Sequence, residues 1–484
     1  MTTLTFPEGF RWGVATAAAQ IEGAAREGGK ADSIWDVFAR EPGAIIDSSN
    51  LDITCDHYHR LGEDVTLMKD LGAGTYRFSV SWARVMPDGR TVNEEGLDFY
   101  EELVDALREA GIDPWLTLYH WDLPAALGEK GGWTKRETAF LFADYARAVY
   151  ERLGSKVGVW TTLNEPWCSS LLAYAGGEHA PGHTDPGEAV AAAHHLLLAH
   201  GLGAKAIREA ASARGEDPAL GITLNFTVAH PADPTDPGDI DAARRIDGTS
   251  NRLFLDPIFR GAYPADVVAD MAATEDGDER CDIRTWIREG DLEIISTPID
   301  VLGVNFYNGQ MVRAADPLDR SPLVRINEQG RPRRSPNVGS ERVRGVSRGL
   351  PVTHMGWEVG PDDLRELLVR LEREYTGPAG IPLVITENGA AYDDVPDETG
   401  FVDDSGDRLA YIRGHLAAVH AAIGEGANVI GYLEWSLMDN FEWAFGFTKR
   451  FGIVRVDYDT QVRTPKASAL WYRDVMKNNA FDID

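Results

Sequence analysis

Two glutamates carry the sequence's clearest chemistry: Glu165 in Thr-Leu-Asn-Glu-Pro and Glu387 in Ile-Thr-Glu-Asn-Gly. Each directly follows an apolar run, and each has an asparagine beside it. Breaking a glycosidic bond calls for such a pair: a carboxylic acid protonates the departing oxygen while a carboxylate attacks the anomeric carbon or activates water. Taken alone, a glutamate at a strand end is more readily a salt-bridged rim residue. The pair is not alone. Other apolar runs close on Arg77, on His120-Trp121, and on Asn305 with Tyr307, and strand ends as such need neither a carboxylate nor an indole.

A sugar ring offers weakly apolar C–H faces and a rim of hydroxyls, so a site for one combines aromatic platforms with bidentate polar side chains. Trp121, Trp167, Trp357, Trp435 and Trp443 can supply the first, and Gln20, His120, Asn164 and Glu442 the second. Tryptophan is also a favoured packing residue. Trp12, Trp35 and Trp160 are therefore assigned to the core.

To act together, residues scattered over hundreds of positions need a fold that gathers strand ends. Strand candidates run over 11–15, 75–80, 113–120, 159–164, 220–225, 301–307, 383–387 and 429–435. Several are apolar nearly throughout, as strands covered on both faces should be. Amphipathic helical patterns fall between them, at 93–110, 135–153, 187–213, 361–375 and 407–424. Eight strands each followed by helical sequence imply an α/β fold: a (β/α)8 TIM barrel, one catalytic domain over residues 1–484 with extended βα loops. Two stretches stand apart. Residues 231–239 read as a loop by their Pro, Asp and Gly content. Residues 313–350 carry nine arginines after the sixth strand, and read either as a lid or cleft wall or as a solvated loop.

Composition narrows the partners. A net charge of −30 repels phosphate backbones and anionic lipids, so neither nucleic acid nor a membrane is expected. No run approaches the roughly 18 apolar residues of a membrane span. The start of the chain lacks a basic, apolar leader, which makes the cytoplasm the expected compartment. Three cysteines far apart suggest neither a disulfide framework nor a zinc site, and no cofactor or metal is expected. His57, His59 and the adjacent His194 and His195 are read as core or surface residues, because neighbours on a helix do not share a face. Cys168 is read as a packed thiol. A homo-oligomer is compatible with the sequence but not required by it.

The motifs together resemble glycoside hydrolase family 1, in its bacterial β-glucosidase branch, from Phe6 to about Lys477. The resemblance rests on six segments in order: 10–23 (Phe-Arg-Trp-Gly-Val-Ala-Thr-Ala-Ala-Ala-Gln-Ile-Glu-Gly), 76–84 (Tyr-Arg-Phe-Ser-Val-Ser-Trp-Ala-Arg), 118–124 (Leu-Tyr-His-Trp-Asp-Leu-Pro), 162–166, 385–389 and 435–443 (Trp-Ser-Leu-Met-Asp-Asn-Phe-Glu-Trp). It implies hydrolysis of terminal β-glucosyl residues with retention, through a covalent glycosyl-enzyme. Glu165 matches the acid/base and Glu387 the nucleophile. Gln20, His120, Asn164, Glu442 and Trp443 match residues that hold hydroxyls of the non-reducing sugar, and Trp435 the platform beneath it. Arg77 and Tyr307 match partners of the nucleophile, with Asn305 in the same shell, and Trp357 resembles the aglycone-side aromatic. Two departures are Phe306, where a tyrosine is common, and Glu434, at a position more often apolar.

Four rivals are weighed against this expectation. A 6-phospho-β-glycosidase would replace Glu442-Trp443 with a smaller residue and place cations nearby; here the pair is intact, and although Lys449 lies seven residues on from Glu442, a phosphate would lack room. β-Galactoside or β-fucoside turnover remains compatible with the same residues. A thioglucosidase would lack the acid carboxyl, a binding protein on a dead barrel would lose one glutamate, and a metal hydrolase would show a His/Asp ligand set at the strand ends.

Overall fold

The computed structural model describes residues 2–316 and 318–483. Its centre is a closed barrel of eight parallel strands, in which each strand pairs with the next in sequence and the last closes on the first. They are β1 (Arg11–Ala15), β2 (Thr75–Ser79), β3 (Asp113–Tyr119), β4 (Val159–Asn164), β5 (Ala219–Phe226), β6 (Val301–Phe306), β7 (Leu383–Asn388) and β8 (Val429–Trp435). Every residue of β2, β4, β6 and β7 is buried, one face on the barrel interior and the other under helices. That double burial explains why these runs are apolar without alternation. The eight sequence-read strands thus all form, with ends shifted by two residues at most.

The interior is packed by Ala15, Trp115, Val159, Val301, Val384 and Leu433, with Trp435 at the top layer. Helices cover the outside, and their ends follow capping chemistry. Pro186–Arg214 starts on Asp185, whose side chain accepts from Glu188 N, has proline in its first turn, and stops at Gly215 with φ 71°. Among the described residues no helix is long and apolar enough to cross a membrane.

Two loop readings need correction. Residues 231–239 are not all loop: a helix, Pro237–Asp247, begins inside them, with Asp236 capping Gly238 N and Asp239 N. The Asp-Pro pair was the overlooked signal, a cap followed by a first-turn proline. Residues 313–350 are neither bare coil nor solvated throughout. Arg344–Val346 pairs antiparallel with Gln310–Arg313, which pairs in turn with Ala229–Pro231. Arg331, Arg334, Arg342, Arg344 and Arg348 each reach a carboxylate, among them Glu41, Asp276 and Glu358. Single exposed pairs contribute little, but a series of them fixes a segment's path. Of the two readings left open, the cleft wall is the one the fold adopts.

Candidate active site

The C-terminal strand ends surround a cavity of about 400 Å³ lined by Glu165, Glu387, Glu442, His120, Tyr307 and several tryptophans. A strand sends alternate side chains to opposite faces, yet three adjacent pairs here aim together. They are His120-Trp121, Asn164-Glu165 and Glu442-Trp443. In each the second residue is left-handed, with φ of 80° at Trp121, 45° at Glu165 and 47° at Trp443. Such a backbone costs on the order of 1–3 kcal/mol per residue and persists only where packing enforces it. Register breaks lie just before each of the two strand-end glutamates, between Thr161 and Asn164 in β4 and between Ile385 and Glu387 in β7. Gly389 completes the Glu-Asn-Gly motif because a Cβ there would fall 1.6 Å from the Trp435 carbonyl oxygen. Only glycine lets those two strand ends meet.

The two glutamates have unequal surroundings. Arg77 Nη1 donates to Glu387 Oε1 at 2.6 Å, and the Tyr307 hydroxyl donates to Oε2 at 2.6 Å. Glu165 has only neutral donors: Asn305 Nδ2 on Oε1 at 2.6 Å and the Cys168 thiol on Oε2 at 3.0 Å. Burial and then the charge of Glu387 push the Glu165 carboxyl up to about 8. Burial raises Glu387 as well, against the opposing pull of Arg77. The single proton that two close carboxyls share therefore resides on Glu165. Glu442 is also raised to about 8, by burial and then by the charges of Glu387 and Glu165. The cavity then holds the Arg77–Glu387 ion pair beside two carboxyls, Glu165 and Glu442, whose surroundings favour the protonated form.

Hydrogen-bond logic fixes two further groups. Arginine can only donate, so the Asn164 atom receiving Arg77 Nη2 at 2.6 Å is its oxygen. The Asn164 amide nitrogen therefore donates to His120 Nε2 at 3.1 Å. The imidazole, which burial holds well below its usual range and so neutral, must carry its proton on Nδ1. That Nδ1–H is buried and has no protein partner. Gln20 is the complement. Its amide nitrogen donates to Asn440 Oδ1 and the Phe441 carbonyl, both at 2.9 Å, leaving a buried, unpartnered Oε1. Together they are one free donor and one free acceptor, which is what a hydroxyl requires.

Aromatic rings form the walls. Trp435 lies near-parallel to His120 at 5.7 Å, and Trp121 packs on Trp443 at 4.5 Å. Trp357 meets Tyr307 at 5.5 Å on the outer side. Trp35 is fully buried as expected, but it also backs Trp443 directly at 4.5 Å.

The residues assigned to the site in the sequence fall into two layers, most of them lining the cavity, with Gln20 bonded to the segment just before Glu442. Arg77, Asn164 and Asn305 sit beneath the carboxyls. The Asn305 amide is spent on Glu165, on Asn164 at 3.1 Å and on Thr386 Oγ1 at 2.7 Å, so its role is to orient the site. Sequence reasoning missed His179, which lines the cavity against Trp121 at 4.9 Å and follows an irregular helical segment, Cys168–Gly176, rather than a strand. Cys168, read as a packed thiol, also lines the cavity. Glu434 points away from the barrel centre into the helix layer, where it accepts from Tyr432 at 3.2 Å and burial holds it protonated. Phe306 lies in that layer too, 6.2 Å from His415. Lys449 is tied to the His354 carbonyl and does not line the cavity. His57, His194 and His195 are buried and bonded to Asp64, to Tyr263 with Asp291, and to the Trp133 carbonyl.

Comparison with known proteins gives the same picture along the whole chain. The family model described as glycosyl hydrolase family 1 matches residues 2–481. A bifunctional β-D-glucosidase/β-D-fucosidase of Bifidobacterium breve is 47% identical over 97% of this chain and 98% of its own length. A 1,4-β-D-glucan glucohydrolase of Thermotoga neapolitana is 43% identical over 98% of each. The crystal structure of a psychrophilic β-glucosidase from Micrococcus antarcticus superposes with a TM-score of 0.92 at 53% identity, covering 99% of this chain and 100% of that one.

Proposed function

The chain belongs to glycosyl hydrolase family 1, and on that premise we propose that it is a retaining exo-β-glucosidase acting on unphosphorylated β-glucosides and cello-oligosaccharides. The observation that carries the reading is the asymmetry of the two buried glutamates: one is held by Arg77 and Tyr307, the other by neutral donors alone, so that burial and its neighbour's charge favour its protonated form. In the first step Glu387 bonds to the anomeric carbon, the bond to the aglycone oxygen breaks, and Glu165 gives that oxygen its proton. Glu387 is then a neutral ester, its repulsion on Glu165 is gone, and Glu165 becomes the more acidic carboxyl it must be to serve as base. In the second step water attacks the anomeric carbon, its proton passes to Glu165, and Glu387 departs as the carboxylate.

The glycone end of the cavity fits a neutral sugar. Gln20 Oε1 and His120 Nδ1 await hydroxyls, and Glu442, kept neutral by its surroundings, can donate as well as accept. Among its described lining residues the cavity has no lysine or arginine, so a 6-phosphate would face four glutamates, Glu165, Glu178, Glu387 and Glu442, and no cation of its own. Past Leu172, Glu178 and Phe445 the space continues into a second recess of about 320 Å³, walled by Gln329 and Arg333 of the arginine-rich excursion. This gives a second or third sugar unit somewhere to lie, in keeping with the name of the Thermotoga neapolitana relative. Turnover of β-fucosides beside β-glucosides is part of the proposal, as the Bifidobacterium breve relative carries both names.

The test is a substrate panel. Hydrolysis of p-nitrophenyl β-glucoside and cellobiose is expected, with little or none of the 6-phosphorylated aryl glucoside. Preference for the phosphorylated substrate would refute the reading. A pH profile adds a second check. The acid form of Glu165 exists below about 8, so kcat/KM on an alkyl glucoside should fall tenfold per unit above that pH. The lower limb belongs to Glu387 and should lie above the ordinary carboxylate value, because burial raises it.

A further inference from the structure

Glu165 has one protein donor on each oxygen, and the donor on Oε2 is a thiol. Cys168 sits one turn on from Glu165, its backbone N–H bonded to the Glu165 carbonyl at 3.0 Å, so the sulfur's position is set by the same strained turn that aims the carboxyl. Cys168 is almost wholly buried and lines the cavity beside Glu165. Asn305 Nδ2 bonds the other oxygen, and its amide cannot reverse because its second N–H goes to Asn164 Oδ1, which Arg77 fixes as an acceptor. Oε2 is consequently the oxygen left to carry the proton, and the thiol is the group that meets it.

We propose that Cys168 is a positioning residue for proton transfer, its S–H serving as a weak, reversible partner of Glu165 Oε2 in both protonation states. The proposal rests on the reading of Glu165 as acid and base. In the free enzyme Oε2 must keep a proton and then release it to the leaving oxygen; a strong donor at that place would favour the carboxylate too early. In the glycosyl-enzyme the same oxygen must hold charge long enough to take a proton from water, and an alkyl group there would leave it unsupported. A thiol is a weak donor and a weak acceptor, and lies between these extremes. It is not a competing nucleophile, since burial and the neighbouring Glu165 charge push the thiol well above its usual range. The other titratable and charged groups around Glu165 and Cys168 are Glu387 on β7, Arg77 on β2, Tyr307 after β6, His120 after β3, Glu442 after β8, and Glu178 and His179 beyond the Cys168 segment, and none of them supplies a donor to Oε2.

The experiment compares the pH dependence of kcat/KM on an alkyl β-glucoside for the unsubstituted enzyme, Cys168→Ser and Cys168→Ala. A hydroxyl donates more strongly to a carboxylate than a thiol does, so Cys168→Ser should move the upper limb down by about half a pH unit or more. Removing the donor should move it up by a similar amount in Cys168→Ala. A role in packing alone would change kcat and leave the limb in place. Limbs that coincide in all three proteins, or that move the same way in both variants, overturn the proposal. Should only Cys168→Ser fold, the sign of its shift still decides. If the unsubstituted enzyme shows no upper limb, it is the acid role of Glu165 that fails instead.

Discussion

Glu387→Ala is expected to lower kcat/KM on an aryl β-glucoside by about 10⁵-fold or more, the scale on which a covalent hydrolase loses activity with its nucleophile. The reason is specific to the geometry. Arg77 and Tyr307 each place a donor 2.6 Å from one oxygen of Glu387, and nothing else in the cavity combines a charged oxygen with that support. Truncation also leaves the Arg77 guanidinium buried without its ion pair, a loss that runs to about 3–5 kcal/mol where one partner of a buried pair is removed. A thermal melt should therefore accompany the assay. Glu387→Gln keeps the volume and the hydrogen-bonding oxygen for Arg77, so it should fold better while remaining equally inactive. An active Glu387→Gln enzyme would contradict the assignment.

Glu165→Ala should show a loss that depends on the leaving group. On an alkyl glucoside, whose departing oxygen needs a proton, kcat/KM should fall by about 10²–10⁴-fold, the usual contribution of general acid catalysis. On a dinitrophenyl glucoside the departing phenolate is stable unprotonated, and kcat/KM should fall less than about tenfold by the same reasoning. The kcat for that second substrate should nevertheless drop, because the glycosyl-enzyme then waits for water without its base. Equal losses in kcat/KM on both substrates would count against Glu165 as the acid and would point to a role in holding the site together.

These two residues were legible in the sequence because the barrel leaves a simple signature. A strand buried on both faces must be apolar, so the polar residue that ends it stands out, as Asn164 and Glu387 do. The same logic located Asn305 near the end of β6 and the indole of Trp435 at the end of β8, whereas Arg77, read as closing its strand, lies in the middle of β2. It could not reveal what happens after a strand ends. His179 belongs to a segment with no strand to announce it, and Cys168 becomes informative only through a side-chain contact with Glu165 that spacing alone does not encode. The left-handed turns at Trp121, Glu165 and Trp443 were equally hidden, since no glycine marks them. Nor could the arginines of 313–350 be told from a solvated charge run, because their carboxylate partners, Glu41, Asp276 and Glu358 among them, are spread over the chain.

The unequal surroundings of the two glutamates also bear on selectivity. With Glu387 paired to Arg77 and the surroundings of Glu165 and Glu442 favouring their protonated forms, the cavity carries less charge than its carboxyls suggest, although the whole chain carries −30. A neutral polyol enters such a site without a charge penalty, whereas an anion meets an acidic surface and a cavity with no lysine or arginine among its described lining residues. Salt should therefore affect turnover of neutral glucosides very little, because no long-range attraction is steering them.

The most direct test of the central claim is to incubate the enzyme with a 2-deoxy-2-fluoro-β-glucoside bearing a good leaving group, then digest it and locate the adduct by peptide mass spectrometry. The fluorine slows hydrolysis of the glycosyl-enzyme, so the attacking residue should be caught as an ester. The account predicts one fluoroglucosyl group per chain, on the peptide containing Ile385-Thr386-Glu387-Asn388, with the mass shift on Glu387. A label on Glu165, on Glu442 or on any other residue, or rapid turnover with no adduct, would contradict it.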